Sequence, residues 1–202
     1  MKGRGKRYML LLLLFFAWMT RYLVVNQGSL RPHPRAAIKE YSVGETVDLS
    51  NTISYYQTEN HNCRLTVQKA TLWEDEAFRS SYQMAASGML RQADVWIELE
   101  IVAENPSEST AELTFLPLIL RGIDWFSYFS PEATAYANDI VSAGETQMSS
   151  IQLQPGECVC FRLVYPLQAM QFPSSRWQTL FEEDIWLITT IRPVENRVAV
   201  TL

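Results

Sequence analysis

Between Asp94 and Glu104 the chain alternates. Val95, Ile97, Leu99, Ile101 and Ala103 fall on one side, and Asp94, Trp96, Glu98, Glu100, Val102 and Glu104 on the other. Successive strand side chains point to opposite faces, so the run predicts a strand with one buried face and one wet face. Asn105-Pro106-Ser107 ends it, because proline cannot donate to a ladder and asparagine favours turns. This strand is expected at the centre of an antiparallel sheet.

Other runs fit the same period. Gly44–Leu49 is short, Cys63–Ala70 alternates cleanly, and Ala111–Leu120 alternates until Pro117 pushes its end toward a sheet edge. Gln147–Leu153 and Cys158–Tyr165 flank Gln154-Pro155-Gly156-Glu157, whose proline and glycine suit a type II turn, so the two runs are expected to form a hairpin. Ile185–Ile191 and Arg197–Leu202 close the chain. Helix signals are few. Glu74-Asp75-Glu76 suits a helix N-terminus, with Ala77, Phe78, Tyr82 and Ala85 on one face and Gly88 as a stop. Ser175 can cap a second helix, with Gln178 reaching back and Trp177, Leu180 and Phe181 sharing a face. About eight strands and one or two short helices imply a mainly β chain, an immunoglobulin-like antiparallel β-sandwich.

The N-terminus breaks the pattern. Lys2, Arg4, Lys6 and Arg7 precede an apolar stretch, Tyr8 to Val25, interrupted by Thr20 and Arg21. At about 1.5 Å per residue that stretch spans about 27 Å, near the hydrocarbon thickness of about 30 Å. Arg21 lies close enough to the outer end to snorkel, and Tyr8, Trp18 and Tyr22 suit the interfaces. The alternative is a cleaved signal peptide with Met9–Met19 as its apolar core, but Thr20–Leu30 offers no clear small-x-small cleavage site. No cysteine follows the run, which excludes a lipoprotein anchor. The expected organisation is therefore a cytoplasmic basic tail over 1–7, a single transmembrane signal anchor over 8–25, a linker over 26–39 with Pro32 and Pro34, and an extracytoplasmic β-sandwich over 40–202. The protein is expected at the cell membrane, single-pass, with its C-terminal domain outside.

Charge sharpens the division. Seven of the 17 basic residues stand in the first 35 positions with no acid, leaving 10 basic side chains against all 22 acidic ones. Such an acidic domain is repelled by phosphate backbones, which argues against nucleic acid as a partner.

A series of short motifs carries a resemblance: Gly44-Glu-Thr-Val-Asp-Leu49, Arg64 to Trp73 followed by Glu76-Ala-Phe78, Val95 to Asn105, Leu153 to Glu157 with Tyr165-Pro-Leu167, and Leu187 to Pro193. In this order they resemble domain-of-unknown-function families of anchored proteins and lipoproteins of Gram-positive bacteria, related to telokin-like, immunoglobulin-like extracellular domains. The resemblance covers residues 40–202 and implies an extracytoplasmic sandwich; it brings no catalytic residues. The missing lipidated cysteine is a departure from the lipoprotein members.

Four groups of side chains are candidates for chemistry. The aromatics Trp125, Phe126, Tyr128 and Phe129 fall where a long loop is expected, and rings on a loop tip can stack on sugars or anchor a protein partner; otherwise they close one end of the sandwich. Cys63 can bridge to Cys158 or Cys160, or His61, Cys63, Cys158 and Cys160 can hold a soft metal. Alternation speaks against both, since Cys63 shares the face of Leu65 and Val67, whereas Cys158 and Cys160 oppose Val159, Phe161 and Leu163. Plain thiols are the preferred reading. The acidic runs Glu74–Glu76 and Glu182–Asp184 lack the alternating oxygen ligands of a calcium loop. For nucleophilic catalysis His61 would stand alone, because His33 lies in the linker, and no G-x-S-x-G, P-loop or dinucleotide motif is present. The preferred function is a membrane-held binding module without catalysis or cofactor, facing an envelope protein, a peptide or a wall component. An envelope hydrolase using paired carboxylates and a structural assembly subunit are the alternatives.

Overall fold

The computed structural model describes residues 9, 12–13, 15–22, 37–50, 63–84, 93–141 and 147–202. The chain divides into two units, residues 1–35 and 36–202, each taken by itself.

In the second unit the elements in order are β1 (Ala37–Tyr41), β2 (Thr46–Asp48), β3 (Arg64–Glu74), α1 (Asp75–Ser81), β4 (Val95–Glu104), β5 (Ala111–Thr114), β6 (Ile119–Arg121), β7 (Phe126–Tyr128), α2 (Pro131–Ala137), β8 (Ser150–Leu153), β9 (Cys158–Leu167), α3 (Ser174–Thr179), β10 (Ile185–Thr190) and β11 (Val194–Val200). They build a five-stranded sheet in the order β1-β11-β10-β6-β7, a four-stranded sheet β2-β3-β4-β9 and a small β5-β8 pair. All pairings are antiparallel except β1 with β11, which run parallel from Ala37↔Val194 to Tyr41↔Val198.

The alternation around Asp94 does make an interior strand, β4, flanked by β3 and β9. Its Ile97, Leu99, Ile101 and Ala103 are fully buried against Leu118, Leu120, Leu187 and Val198 of the facing layer. Each such aliphatic side chain contributes about 1.5–3 kcal/mol on burial. Tyr165 lies in the same core and donates its hydroxyl to the Leu118 carbonyl at 3.0 Å, a tie between the sheets. Burial pushes its phenol pKa up.

Four expectations are corrected. The outer face of β4 is not wet along its first half, because α1 and α2 cover it. Phe78, Trp96, Ala133, Ala137 and Val164 form a second apolar cluster there, with Trp96 fully buried. Ala111–Leu120 is two strands, β5 and β6. Leu118 N donates to Phe115 O in the turn that holds Pro117, and β6 then lies inside the five-stranded sheet rather than at an edge. The turn at 154–157 forms, with Glu157 N on Gln154 O and Gly156 at φ +72, but its flanking strands diverge: β8 joins β5 and β9 joins β4. Asn105 fixes that parting. Only 1% exposed, it donates its side-chain amide to Leu153 O, Gln154 O and Ser109 O, while its backbone bonds Glu157 O and Gly156 N. Finally, α3 starts at Ser174 after Pro173, so Ser175 lies inside the helix and caps nothing.

In the first unit residues 15–22 are helical, as are 9, 12 and 13. Met9, Leu12, Leu13, Phe15, Phe16, Trp18, Met19 and Tyr22 are all exposed. The transmembrane helix expected over 8–25 is not shown: among the described residues no helix is long and apolar enough to cross a membrane. The basic tail over 1–7, the linker up to residue 36 and His61 lie outside the described residues.

Candidate functional site

Trp125–Phe129 is not a loop. Phe126–Tyr128 is β7, the edge of the five-stranded sheet, with Arg121↔Phe126, Leu120↔Ser127 and Ile119↔Tyr128 as its register. The period of two then sorts the aromatics. Ser127 turns inward and donates to Pro166 O of β9 at 2.9 Å. Phe126, 63% exposed, and the half-buried Tyr128 turn outward, their rings edge to face at 5.5 Å. Trp125 and Phe129, which flank the strand, enter the core. Of the four candidate residues, two therefore close the sandwich and two stand on its surface.

Trp125 is set by a glycine. Its ring lies over Gly122, where an added Cβ would sit 2.1 Å from Nε1, so only glycine fits. The buried Trp125 Nε1 has no hydrogen-bond acceptor among the described residues. The ring meets Phe172 edge-on at 6.1 Å, and Phe172 continues to Trp177 and Phe181 at 5.6 and 5.5 Å. This aromatic row carries the segment after β9 back beneath β7. Arg176 fastens the rim, pairing with Asp124 at 2.7 Å and with Glu183.

Between the two lies a cleft of about 690 Å³ lined by Asp124, Trp125, Phe126, Ser127, Tyr128, Pro166, Gln168, Gln171 and Phe172. A second, mostly apolar hollow of about 210 Å³ opens on the outer face of the sheet, among Ile119, Arg121, Phe126, Tyr128, Ile188, Ile191 and Glu195. Phe126 and Tyr128 line both, as a ridge between them. Arg121 pairs with Glu195 at 2.8 Å on that face, and further along Arg197 stacks on Trp186 at 4.4 Å while pairing with Glu40. Pro166, Gln168, Gln171 and Phe172 reach the site from about 40 residues downstream, and no local pattern marks them.

The family described as "Domain of unknown function (DUF5028)" matches residues 38–196, from β1 into β11. The chain belongs to that family. Among solved structures the DUF5028 chain is similar to the yjhA protein of Bacillus subtilis, with 15% identity over 79% of this chain and 98% of that one and a TM-score of 0.43. It is also similar to an uncharacterized beta-sandwich protein of Clostridium difficile, with 13% identity over 83% and 97% and a TM-score of 0.42. A conserved hypothetical protein from Bacillus anthracis shows 17% identity over 78% and 94%, with a TM-score of 0.43. No curated protein matches the sequence.

Elsewhere in the DUF5028 domain the polar groups are tied into structure. Glu98, almost buried beneath α1, accepts from Tyr82 Oη at 2.5 Å and faces Arg162 at 3.6 Å. Asp75 accepts from Trp96 Nε1 and from Arg79 Nε, which pins the start of α1 to β4. Cys63, just before β3, is buried, whereas Cys158 and Cys160 are exposed on the outer face of β9, with β4 between. Neighbouring strands stand about 4.8 Å apart, so Cys63 reaches neither Cys158 nor Cys160 across β4 and through the sheet. Among the described residues no three His, Cys, Asp or Glu side chains are grouped to hold a metal.

Proposed function

We propose that this DUF5028 chain is a single-pass membrane protein whose C-terminal domain is a non-catalytic extracytoplasmic binding module of the immunoglobulin-like, Gram-positive envelope type. On this reading the ligand is engaged at the β7 edge. The observation that carries it is Phe126, a large ring 63% exposed on a strand whose neighbours line a cleft of about 690 Å³. Single exposed apolar residues are ordinary, but here Ile123 and Met170 are exposed on the flanking turns as well. The membrane part rests on the basic end, on the apolar stretch and on eight large side chains exposed around its helical residues. A helix apolar on all sides suits lipid rather than water.

The test is in-cell photo-crosslinking from position 126 of the full-length protein, beside position 112 on β5, which is exposed but remote in the fold. A recurrent adduct from 126 and none from 112 is the expected result. Matching adducts from both positions, or none from either, would remove the binding-site reading. With the probe placed at position 128 instead, Phe126→Ala should abolish capture while shifting stability by no more than about 0.5 kcal/mol, as for other surface positions.

A further inference from the structure

We infer that the cleft beside β7 is a subsite for a neutral oligosaccharide, a short chain of pyranose rings; this rests on the binding-module reading. The cleft falls within the range of about 300–1,000 Å³ typical of small-ligand sites. Its lining alternates rings with planar polar groups: Phe126, Tyr128 and Phe172 beside Gln168, Gln171 and Asp124. A pyranose presents the same two chemistries. Its C–H face carries slight positive charge and meets the negative face of an aromatic ring. Its hydroxyls, each a donor and an acceptor, match side-chain amides that offer both functions. Gln171 is exposed, and its side chain makes no hydrogen bond among the described residues.

Charge narrows the choice. Among the described residues no lysine, arginine or histidine lines the cleft, and the one carboxylate among them, Asp124, is already paired with Arg176. An anionic ligand finds there only the Arg176 guanidinium, already held by Asp124 and Glu183, and approaches an acidic domain, and a cationic one must compete with that guanidinium. A peptide added as a further strand is disfavoured by geometry. β7 has three residues, its middle side chain is tied to Pro166 O, and two residues later Ser130 N has crossed to Val164 O of β9. The edge thus offers only a short ladder, whereas rings and amides line the cleft.

The experiment uses the full chain in a detergent without a sugar headgroup. Cellotetraose, maltotetraose, tetra-N-acetylchitotetraose and, as an anionic control, tetragalacturonate are titrated by saturation-transfer NMR and by tryptophan fluorescence, to which Trp125 contributes as one of six tryptophans. Saturable transfer to the ring C–H protons of at least one neutral tetraose is expected, with no binding of tetragalacturonate. Phe126→Ala and Gln171→Ala should each weaken it at least tenfold with unchanged melting. Variants that bind like the wild type would overturn the site. Absence of all neutral tetraoses, with position 126 still capturing a protein, would overturn the sugar assignment and leave the binding module standing. Absence of both would sink both readings.

Discussion

The Tyr82 hydroxyl gives its hydrogen bond to Glu98, a carboxylate that sits in the polar column of β4 and is nevertheless buried. Burial first, and then the Glu98 carboxylate, raises the Tyr82 pKa above its ordinary 10.0. The fold therefore favours the protonated phenol. Its contribution to stability is complete below about pH 10 and is lost as pH rises through the folded value. Tyr82→Phe should cost about 1–3 kcal/mol at pH 7, because Glu98 loses a buried partner. The phenylalanine cannot ionise, so the gap to the wild type should narrow at pH 11. Urea midpoints at the two pH values measure this, and an equal gap at both would refute it. The sequence showed the pieces without the pairing. Tyr82 was legible as one side of a helical face, and Glu98 as a strand position. Their meeting depends on α1 folding back over β4. One clue was present: Trp96, a large aromatic in a column of acids, marks a face that needs cover. At the aromatic site the period of two was the missing step. Once Phe126–Tyr128 is read as a strand, Phe126 and Tyr128 part from Ser127.

At the scale of elements, the edges are decided by side chains that imitate strands. β9 ends the four-stranded sheet, and α2 closes much of its open side. Asn138 donates to Arg162 O and accepts from Arg162 N at 2.8 Å each, Thr134 Oγ1 accepts from Val164 N, and Ser130 N bonds Val164 O. These groups satisfy the backbone that an exposed edge would offer to another chain. Asn138→Ala strips two of these bonds, so a loss of about 1–3 kcal/mol is expected, with a rise in self-association. Chemical denaturation and light scattering across concentration check it; a stable monomer would contradict the edge-closing role. This helix was legible in principle, since Ser130 caps it through Ala133 N and Pro131 takes its first turn. The expected β8–β9 hairpin fails to form for a different reason. The turn signal at Pro155-Gly156 is local and correct, but strand partners are chosen by Asn105 and the core, nearly 50 residues away.

For the molecule as a whole, alternation and turn spacing were enough to indicate a mainly β sandwich, because both report which face meets the core. They said nothing of β1, whose partner β11 is the last strand of the chain and runs parallel to it. The placement of the thiols gives a test of the entire assembly. Cys158 and Cys160 are exposed while Cys63 is buried, and burial raises the Cys63 thiol pKa. A disulfide-exchange reagent should titrate two thiols quickly in the native protein and the third only as the fold opens. Three fast thiols would contradict the layering of the two sheets.

The parallel pairing of β1 and β11 also sets how the domain answers a mechanical load. Tension drawn between Ala37 and Val200 enters one strand at its first residue and leaves the other at its last. Because the strands run the same way, that pull slides them past each other along their length. Every hydrogen bond between Ala37↔Val194 and Tyr41↔Val198 then shares the load at once instead of parting in turn. Pulled between these two ends, the domain is thus clasped in shear, an arrangement that resists being drawn open.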